Sequence, residues 1–161
     1  MKMSKNALLI AVGVFLLVAA SASSQEIIDA RNPAAILSLA QGWGSATLET
    51  DSVGDPKIVG RMDGTRYAIY FFGCDDSHKG CRSIMFRAAW NLDGVGYSYI
   101  NEWNRTKRFG KASLDSENDP VIEMNINLDH GVTVENLDDN FDWWRVILSG
   151  FIEYLQDREN T

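Results

Sequence analysis

The sequence has few of the side chains that most often carry enzyme chemistry. Among its 161 residues there are two cysteines, two histidines and three prolines. It contains no Gly-x-Ser-x-Gly segment, which holds the nucleophile in many hydrolases, and no glycine-rich loop with the lysine of a phosphate site. His78 and His130 lie in polar segments and are typical of surface histidines. We therefore expect a protein that is not an enzyme and that uses no cofactor or metal.

Positive charge is also scarce in this chain. Lys and Arg together number 15 and Asp and Glu 22, which gives a formal net charge of −7. Such a balance repels the phosphate backbone of DNA and RNA, so nucleic acid is not an expected partner.

The first 22 residues have the pattern of a cleavable signal peptide. Lys2 and Lys5 precede an uncharged apolar run, Ala7–Ala20, and Ala20-Ser21-Ala22 places small residues before the expected cut. This run is shorter than the roughly 20 apolar residues that span a bilayer, and no later segment approaches that length. We expect cleavage after Ala22 and export to the periplasm or beyond, leaving residues 23–161 as one domain without a membrane span.

The two cysteines, Cys74 and Cys81, enclose a polar loop between two apolar segments that are typical of strands. In an oxidising compartment such a pair is expected to form a disulfide. The alternative is a metal site in which Asp75 and His78 join the two thiolates. Structural zinc sites usually space paired cysteines by two to four residues, so the longer spacing here favours the disulfide.

Hydrophobic periodicity predicts an α+β fold in which an antiparallel sheet of five to six strands packs against three helices. The predicted strands cover residues 45–50, 57–62, 66–72, 82–90, 111–115 and 121–128. A first helix runs from Pro33 to Gln41 after the cap residue Asn32. A second helix ends near Lys107, and Asp93 is its expected N-cap. Residues 23–31 are expected to form a loosely held lead-in.

Thr133 is the expected cap of the last and longest helix. One apolar stripe of this helix should pack on the sheet: Leu137, Phe141, Trp144, Leu148, Phe151 and Leu155. A second apolar line contains Trp143, Ile147 and Tyr154. Either this helix lies between two layers of structure, or the second line forms an interface with a partner or in a homodimer.

Several short segments together carry a resemblance to a known family. They are Asp55–Gly60, Gly73-Cys74 with Cys81, Asn101–Arg105, Arg108-Phe109, Leu114-Asp115 and Gly131–Thr133 before a tryptophan-rich helix. On these segments the chain resembles the YbjN family, bacterial proteins labelled as sensory transduction regulators. The resemblance implies a fold similar to that of type III secretion chaperones, which commonly dimerise and bind extended segments of other proteins. It implies no catalytic or ligand residues.

A basic, aromatic-flanked cluster is the best candidate site in this acidic chain. It consists of Trp103, Arg105, Lys107 and Arg108, followed by Phe109 and Lys111. In one interpretation the two arginines bind the carboxylates of an acidic partner segment. In the other, Trp103 and Phe109 belong to the core and the cations complement the C-terminal dipole of a helix.

The favoured function is a non-enzymatic, chaperone-like module of the cell envelope that binds a protein or peptide segment. The candidate binding residues are Trp103, Arg105, Lys107, Arg108, Trp143, Ile147 and Tyr154. The alternative is a periplasmic sensory or small-ligand component of a signalling pathway, which needs a closed pocket beneath the strands. An enzyme is the least supported hypothesis.

Overall fold

The computed structural model describes residues 25–158 of the chain. In chain order the elements are β1 (Ile27–Ile28), α1 (Pro33–Gly42), β2 (Ser45–Thr50), β3 (Pro56–Met62), β4 (Thr65–Phe72), β5 (Ser83–Ala89), α2 (Tyr97–Thr106), β6 (Lys111–Leu114), β7 (Pro120–Asn127), β8 (Val132–Thr133) and α3 (Val134–Asp157). The predicted signal peptide, residues 1–22, lies outside the described residues and stays a prediction.

Six of the strands form one antiparallel sheet in the order β2-β3-β4-β5-β7-β6. Together with the three helices found within residues 25–158, this sheet confirms the predicted α+β fold class. The Asp63-Gly64 turn between β3 and β4 favours the antiparallel pairing of these two strands. Asp63 and Gly64 both have positive φ angles, 48° and 83°, as a two-residue hairpin turn requires.

One face of the sheet is covered by α3. Alternate residues of the central strands, among them Ile69 and Phe86, point to this face and are fully buried. The Phe86 ring meets Phe141 edge-on at 4.9 Å between centroids and lies 5.4 Å from Trp144. The core of the described chain therefore lies between the sheet and α3.

The last helix follows its prediction closely. Thr133 caps it, because the Thr133 hydroxyl accepts a 3.1 Å hydrogen bond from the backbone N–H of Asn136. All six residues of the predicted stripe are at most 4% exposed: Leu137, Phe141, Trp144, Leu148, Phe151 and Leu155. The indole of Trp43, at the end of α1, donates a 2.8 Å hydrogen bond to Asp138, which ties the first helix to the last.

The segment before α1 is more ordered than the sequence suggested. We predicted a loose lead-in to residue 31, but Ile28 and Ala30 are buried. β1 pairs with β8 directly before α3, with Ile28 opposite Val132. The prediction was wrong for residues 25–31 because a two-residue strand has no periodicity to detect, and its partner lies about a hundred residues further along the chain.

The start of α2 also differs from its prediction. Asp93 was the expected N-cap, but the helix begins after Gly96, whose backbone is extended. The segment before the helix instead crosses to the β6–β7 turn, where the Leu92 N–H donates a 2.9 Å hydrogen bond to Asp119. This long-range contact fixes the helix start.

The predicted disulfide between Cys74 and Cys81 is present. Within the enclosed loop the Asp75 carboxylate accepts hydrogen bonds from the N–H groups of Ser77 and Lys79 and from the Ser77 hydroxyl. These bonds, led by the Ser77 side chain, lower the pKa of Asp75. Because both sulfurs are in the disulfide, the alternative metal site with two thiolate ligands is not formed.

Two polar atoms in the core have no hydrogen-bond partner among the described residues: the Tyr67 hydroxyl and the Trp144 indole nitrogen. The Tyr67 ring lies over Gly60, where an added Cβ would come within 2.7 Å of a ring carbon. Glycine at position 60 therefore makes room for the ring. Burial raises the pKa of Tyr67 to about 12 because the phenolate would lose its hydration.

Replacing Tyr67 with phenylalanine is expected to raise the free energy of unfolding by about 1 kcal/mol at neutral pH, because it removes a buried, unpaired hydroxyl. The unmodified protein should lose stability as the pH rises from 10 to about 12. In that range the unfolded chain releases a phenolic proton that the folded chain keeps. The Tyr67→Phe variant should lose less stability over this pH range. Urea denaturation at neutral pH and at several alkaline pH values measures both effects.

Tyr154→Phe is the matched control for this prediction. The Tyr154 hydroxyl donates a 2.9 Å hydrogen bond to the backbone carbonyl of Tyr99, so removing it should cost about 1 kcal/mol. An equal loss of stability in Tyr67→Phe would mean that the Tyr67 hydroxyl has a partner, contrary to the expectation.

Among residues 25–158 we find no helix that is long and apolar enough to cross a membrane.

Candidate protein-binding surface

Trp103, the aromatic centre of the predicted basic cluster, is a core residue. It is 2% exposed, and its ring meets Phe151 of α3 edge-on at 4.9 Å between centroids. Its indole N–H donates a 3.2 Å hydrogen bond to the Gly110 carbonyl. Trp103 therefore holds α2 and the following turn against α3, and it does not present a surface to a partner.

Two members of the second apolar line of α3 are covered in the same way. Ile147 is 5% exposed and lies against Gly110, where an added Cβ would come within 2.7 Å of its side chain. Gly110 also has a φ of +71°, a conformation that glycine adopts most readily. Tyr154 is half-buried and stacks on Tyr99 of α2 at 4.2 Å. At these positions α3 lies between two layers, which was one of the two alternatives.

The three cations of the predicted cluster are exposed, but each has a contact within the protein. Arg105 forms a forked ion pair with Glu102, at 2.7 Å for the shortest N–O distance. The ammonium group of Lys107 lies 5.4 Å from the centroid of the Trp103 ring. The guanidinium of Arg108 lies 5.1 Å from the centroid of Phe109. Arg108 is thus held beside an exposed aromatic ring.

Trp143 is the member of the second line that stays at the surface. It is 42% exposed, and it packs against Phe109, which is 39% exposed, at 4.8 Å between ring centroids. Val146, 45% exposed, follows three residues later on the same side of α3. We call Phe109, Trp143 and Val146 the apolar patch. The sequence analysis identified Trp143 but missed Val146. A spacing of three residues places both side chains on the same side of a helix, so Val146 could have been predicted.

A second surface was missed entirely by the sequence analysis. The face of the main sheet opposite α3 has no helix of the described chain packed on it, and it carries the side chains that alternate with the core residues. Four cations lie there, on three adjacent strands: Lys57 and Arg61 on β3, Arg66 on β4 and Arg87 on β5.

The two histidines of the described chain each lie beside a carboxylate. The Nδ1 atom of His78 lies 2.9 Å from a carboxylate oxygen of Asp55 in the β2–β3 turn. His130 is far more exposed, with 94% of its side chain accessible, beside Asp129. Among the described residues, no group of three or more His, Cys, Asp or Glu side chains is placed to hold a metal ion.

Comparison with protein families identifies the chain. The model of the YbjN family, described as "Putative bacterial sensory transduction regulator", matches residues 33–157. The chain belongs to the YbjN family. No curated protein and no solved structure matches it. Membership in the YbjN family supports a regulatory or binding role in general terms, and the secretion-chaperone likeness implied by the sequence stays a prediction.

Several residues of the segments that carry the YbjN resemblance have structural roles in this chain. The Asn104 side chain exchanges two hydrogen bonds with the backbone of Ala112, at 2.8 and 2.9 Å, and so fastens α2 to β6. The missing side chain of Gly60 leaves space for the Tyr67 ring, and the Trp103 indole N–H donates a hydrogen bond to the Gly110 carbonyl. These residues of the family segments therefore have structural roles, whereas Arg108 and Phe109, which form another family segment, are exposed.

Proposed function

We propose that this member of the YbjN family is an exported, non-enzymatic protein that binds an acidic segment of another protein at the apolar patch. The observation that carries the proposal is the pairing of Phe109 and Trp143, two aromatic rings that pack together and remain about 40% exposed. Large exposed aromatic side chains in contact with each other are typical of protein-binding surfaces.

The cations beside the apolar patch favour an acidic partner. Arg108 lies over Phe109, and its guanidinium has no carboxylate partner among the described residues. Arginine beside an aromatic anchor suits the recognition of a carboxylate next to an apolar side chain. A symmetric homodimer would place the patch, with its Arg108, near the same residues of a second copy. That arrangement brings like charges together in two chains that are already strongly acidic.

Export is the second part of the proposal. The signal-peptide pattern of residues 1–22 supports it, and so does the Cys74–Cys81 disulfide, because disulfides persist mainly in oxidising compartments. The non-enzymatic part of the proposal is supported by the sequence, which has no Gly-x-Ser-x-Gly segment and no glycine-rich phosphate loop. His78 lies beside Asp55, and His130 lies beside Asp129. The sensory alternative needs a closed pocket, whereas the concavities on the uncovered sheet face are open to solvent.

Site-specific photo-crosslinking in the host tests the patch. A photoreactive phenylalanine analogue at position 143 should crosslink to an acidic protein of the cell envelope, because this position lies at the centre of the patch. Adding Arg108→Glu should reduce the crosslink several-fold, since it places a carboxylate where the partner's carboxylate would bind.

Tyr97 is the matched control position, because it is aromatic and 75% exposed but lies at the start of α2. The same analogue at position 97 should not capture the same protein. The proposal is wrong if positions 97 and 143 capture the same proteins equally, or if position 143 captures only a second copy of the chain.

A further inference from the structure

The uncovered face of the main sheet has a trough built from short and long side chains. In the centre, Val59 lies opposite Ala68, and Ala68 lies opposite Arg87 on the next strand. The small side chains of Val59 and Ala68 form the bottom of a concavity. The longer side chains of Lys57, Tyr70 and Arg87 surround it. The result is a concavity of about 240 Å³.

A second concavity continues the first toward the edge of the sheet. It has a volume of about 220 Å³ and shares Val59 and Arg66 with the first. Together the two concavities extend from β2 to β5, across three strand spacings, or about 14 Å. We call the combined feature the trough. Its length matches about four residues of an extended peptide, at roughly 3.3 Å per residue.

The charge of the trough is opposite to that of the protein as a whole. Its lining includes four cations and no carboxylate: Lys57, Arg61, Arg66 and Arg87. Lys57 pairs with Glu49 at 3.4 Å and Arg87 pairs with Glu123 at 3.1 Å, and both of these carboxylates lie outside the lining. Arg61 and Arg66 are the lining cations without a carboxylate partner among the described residues, so the trough is locally positive in a chain of net charge −7.

Arg66 is the cation whose position most needs an explanation. Its side chain is exposed and makes no ion pair or hydrogen bond with the described residues. It lies directly opposite Arg61 in the β3–β4 ladder, where two like charges destabilise a sheet. The Arg61 guanidinium donates a 3.1 Å hydrogen bond to the Gly64 carbonyl, whereas an anion bound at Arg66 would offset the like charge and supply the partner that the Arg66 side chain lacks.

We propose that the trough binds an extended, carboxylate-rich peptide segment, with Arg61 and Arg66 holding its acidic side chains. The site lies on the opposite side of the sheet from α3, so it is separate from the apolar patch and does not depend on the function proposed for that patch. A peptide fits better than a small anion because the trough is open along its length and its cations are spread over three strands.

The test measures binding of a labelled hexaglutamate peptide to the mature protein by fluorescence anisotropy at low salt. Arg66→Glu should weaken binding about tenfold or more, because it removes a charge-assisted hydrogen bond and adds repulsion. In backbone amide NMR spectra, the peptide should shift the signals of Ala68 and Arg87. Unchanged thermal unfolding would show that the exposed substitution leaves the fold intact.

Arg145→Glu is the matched control, because it makes the same charge change on α3, where Arg145 pairs with Asp142 at 2.7 Å. It should weaken binding less than twofold. The proposal is overturned if both variants weaken binding equally, since net charge alone would then explain the effect. It is also overturned if Ala68 and Arg87 do not shift, or if citrate competes as well as the peptide at equal concentration.

Discussion

Replacing Phe86 with alanine is expected to lower the free energy of unfolding by about 3–5 kcal/mol. Phe86 is fully buried in the middle of the main sheet and contacts Phe141 and Trp144 of α3. The substitution removes the contacts of the Phe86 ring with α3 and leaves a cavity that the surrounding rings cannot fill completely. Urea denaturation followed by tryptophan fluorescence measures the loss.

Phe72→Ala is the matched control for Phe86→Ala. Phe72 belongs to the neighbouring strand β4, but it is 45% exposed and lies on the uncovered face of the sheet. Its replacement should cost less than about 1 kcal/mol. Similar losses in the two variants would contradict the assignment of one face to the core and the other to solvent.

Replacing both cysteines with alanine is expected to lower the free energy of unfolding by about 2.5 kcal/mol, because the disulfide restricts the unfolded chain. Alanine is suitable because Cys81 is 2% exposed and a serine hydroxyl would be buried there. A reducing agent should destabilise the unmodified protein by a similar amount and leave the double variant unchanged. Calorimetry with and without the reductant measures both.

A small effect of the cysteine substitutions would have a specific structural meaning. The loop is also held by the hydrogen bonds to Asp75 and by the contact between His78 and Asp55. If the double variant lost less than about 0.5 kcal/mol, these contacts would be the main restraint on the loop, and the expected contribution of the disulfide would be wrong.

Local periodicity was sufficient to predict most of the fold. Residues 45–50 were predicted as a strand from alternation alone, and β2 has these bounds. The apolar stripe of α3 could be predicted because a helix packed on a sheet needs one continuous apolar side. By contrast, β1 depends on β8, which is distant in sequence, so no local pattern revealed it.

The candidate surfaces were harder to predict because exposure depends on what packs above a residue. Trp103 and Trp143 both lie near the turn at Gly110, but the turn covers Trp103 and leaves Trp143 exposed. The basic side chains of the trough alternate with core residues and could be placed on one face from sequence. The strand sequences do not show on which face of the sheet α3 packs. The uncovered face is therefore known only from the structure.

Native mass spectrometry of the protein from the host cell envelope tests the central claim, that this YbjN-family chain is an exported protein-binding module. The account predicts a chain that begins at Ser23 and contains the disulfide, bound to an acidic protein. Trp143→Ser should lose this partner, whereas Tyr97→Ser should keep it. A full-length, reduced chain without a partner, or a partner that both variants retain equally, would contradict the account.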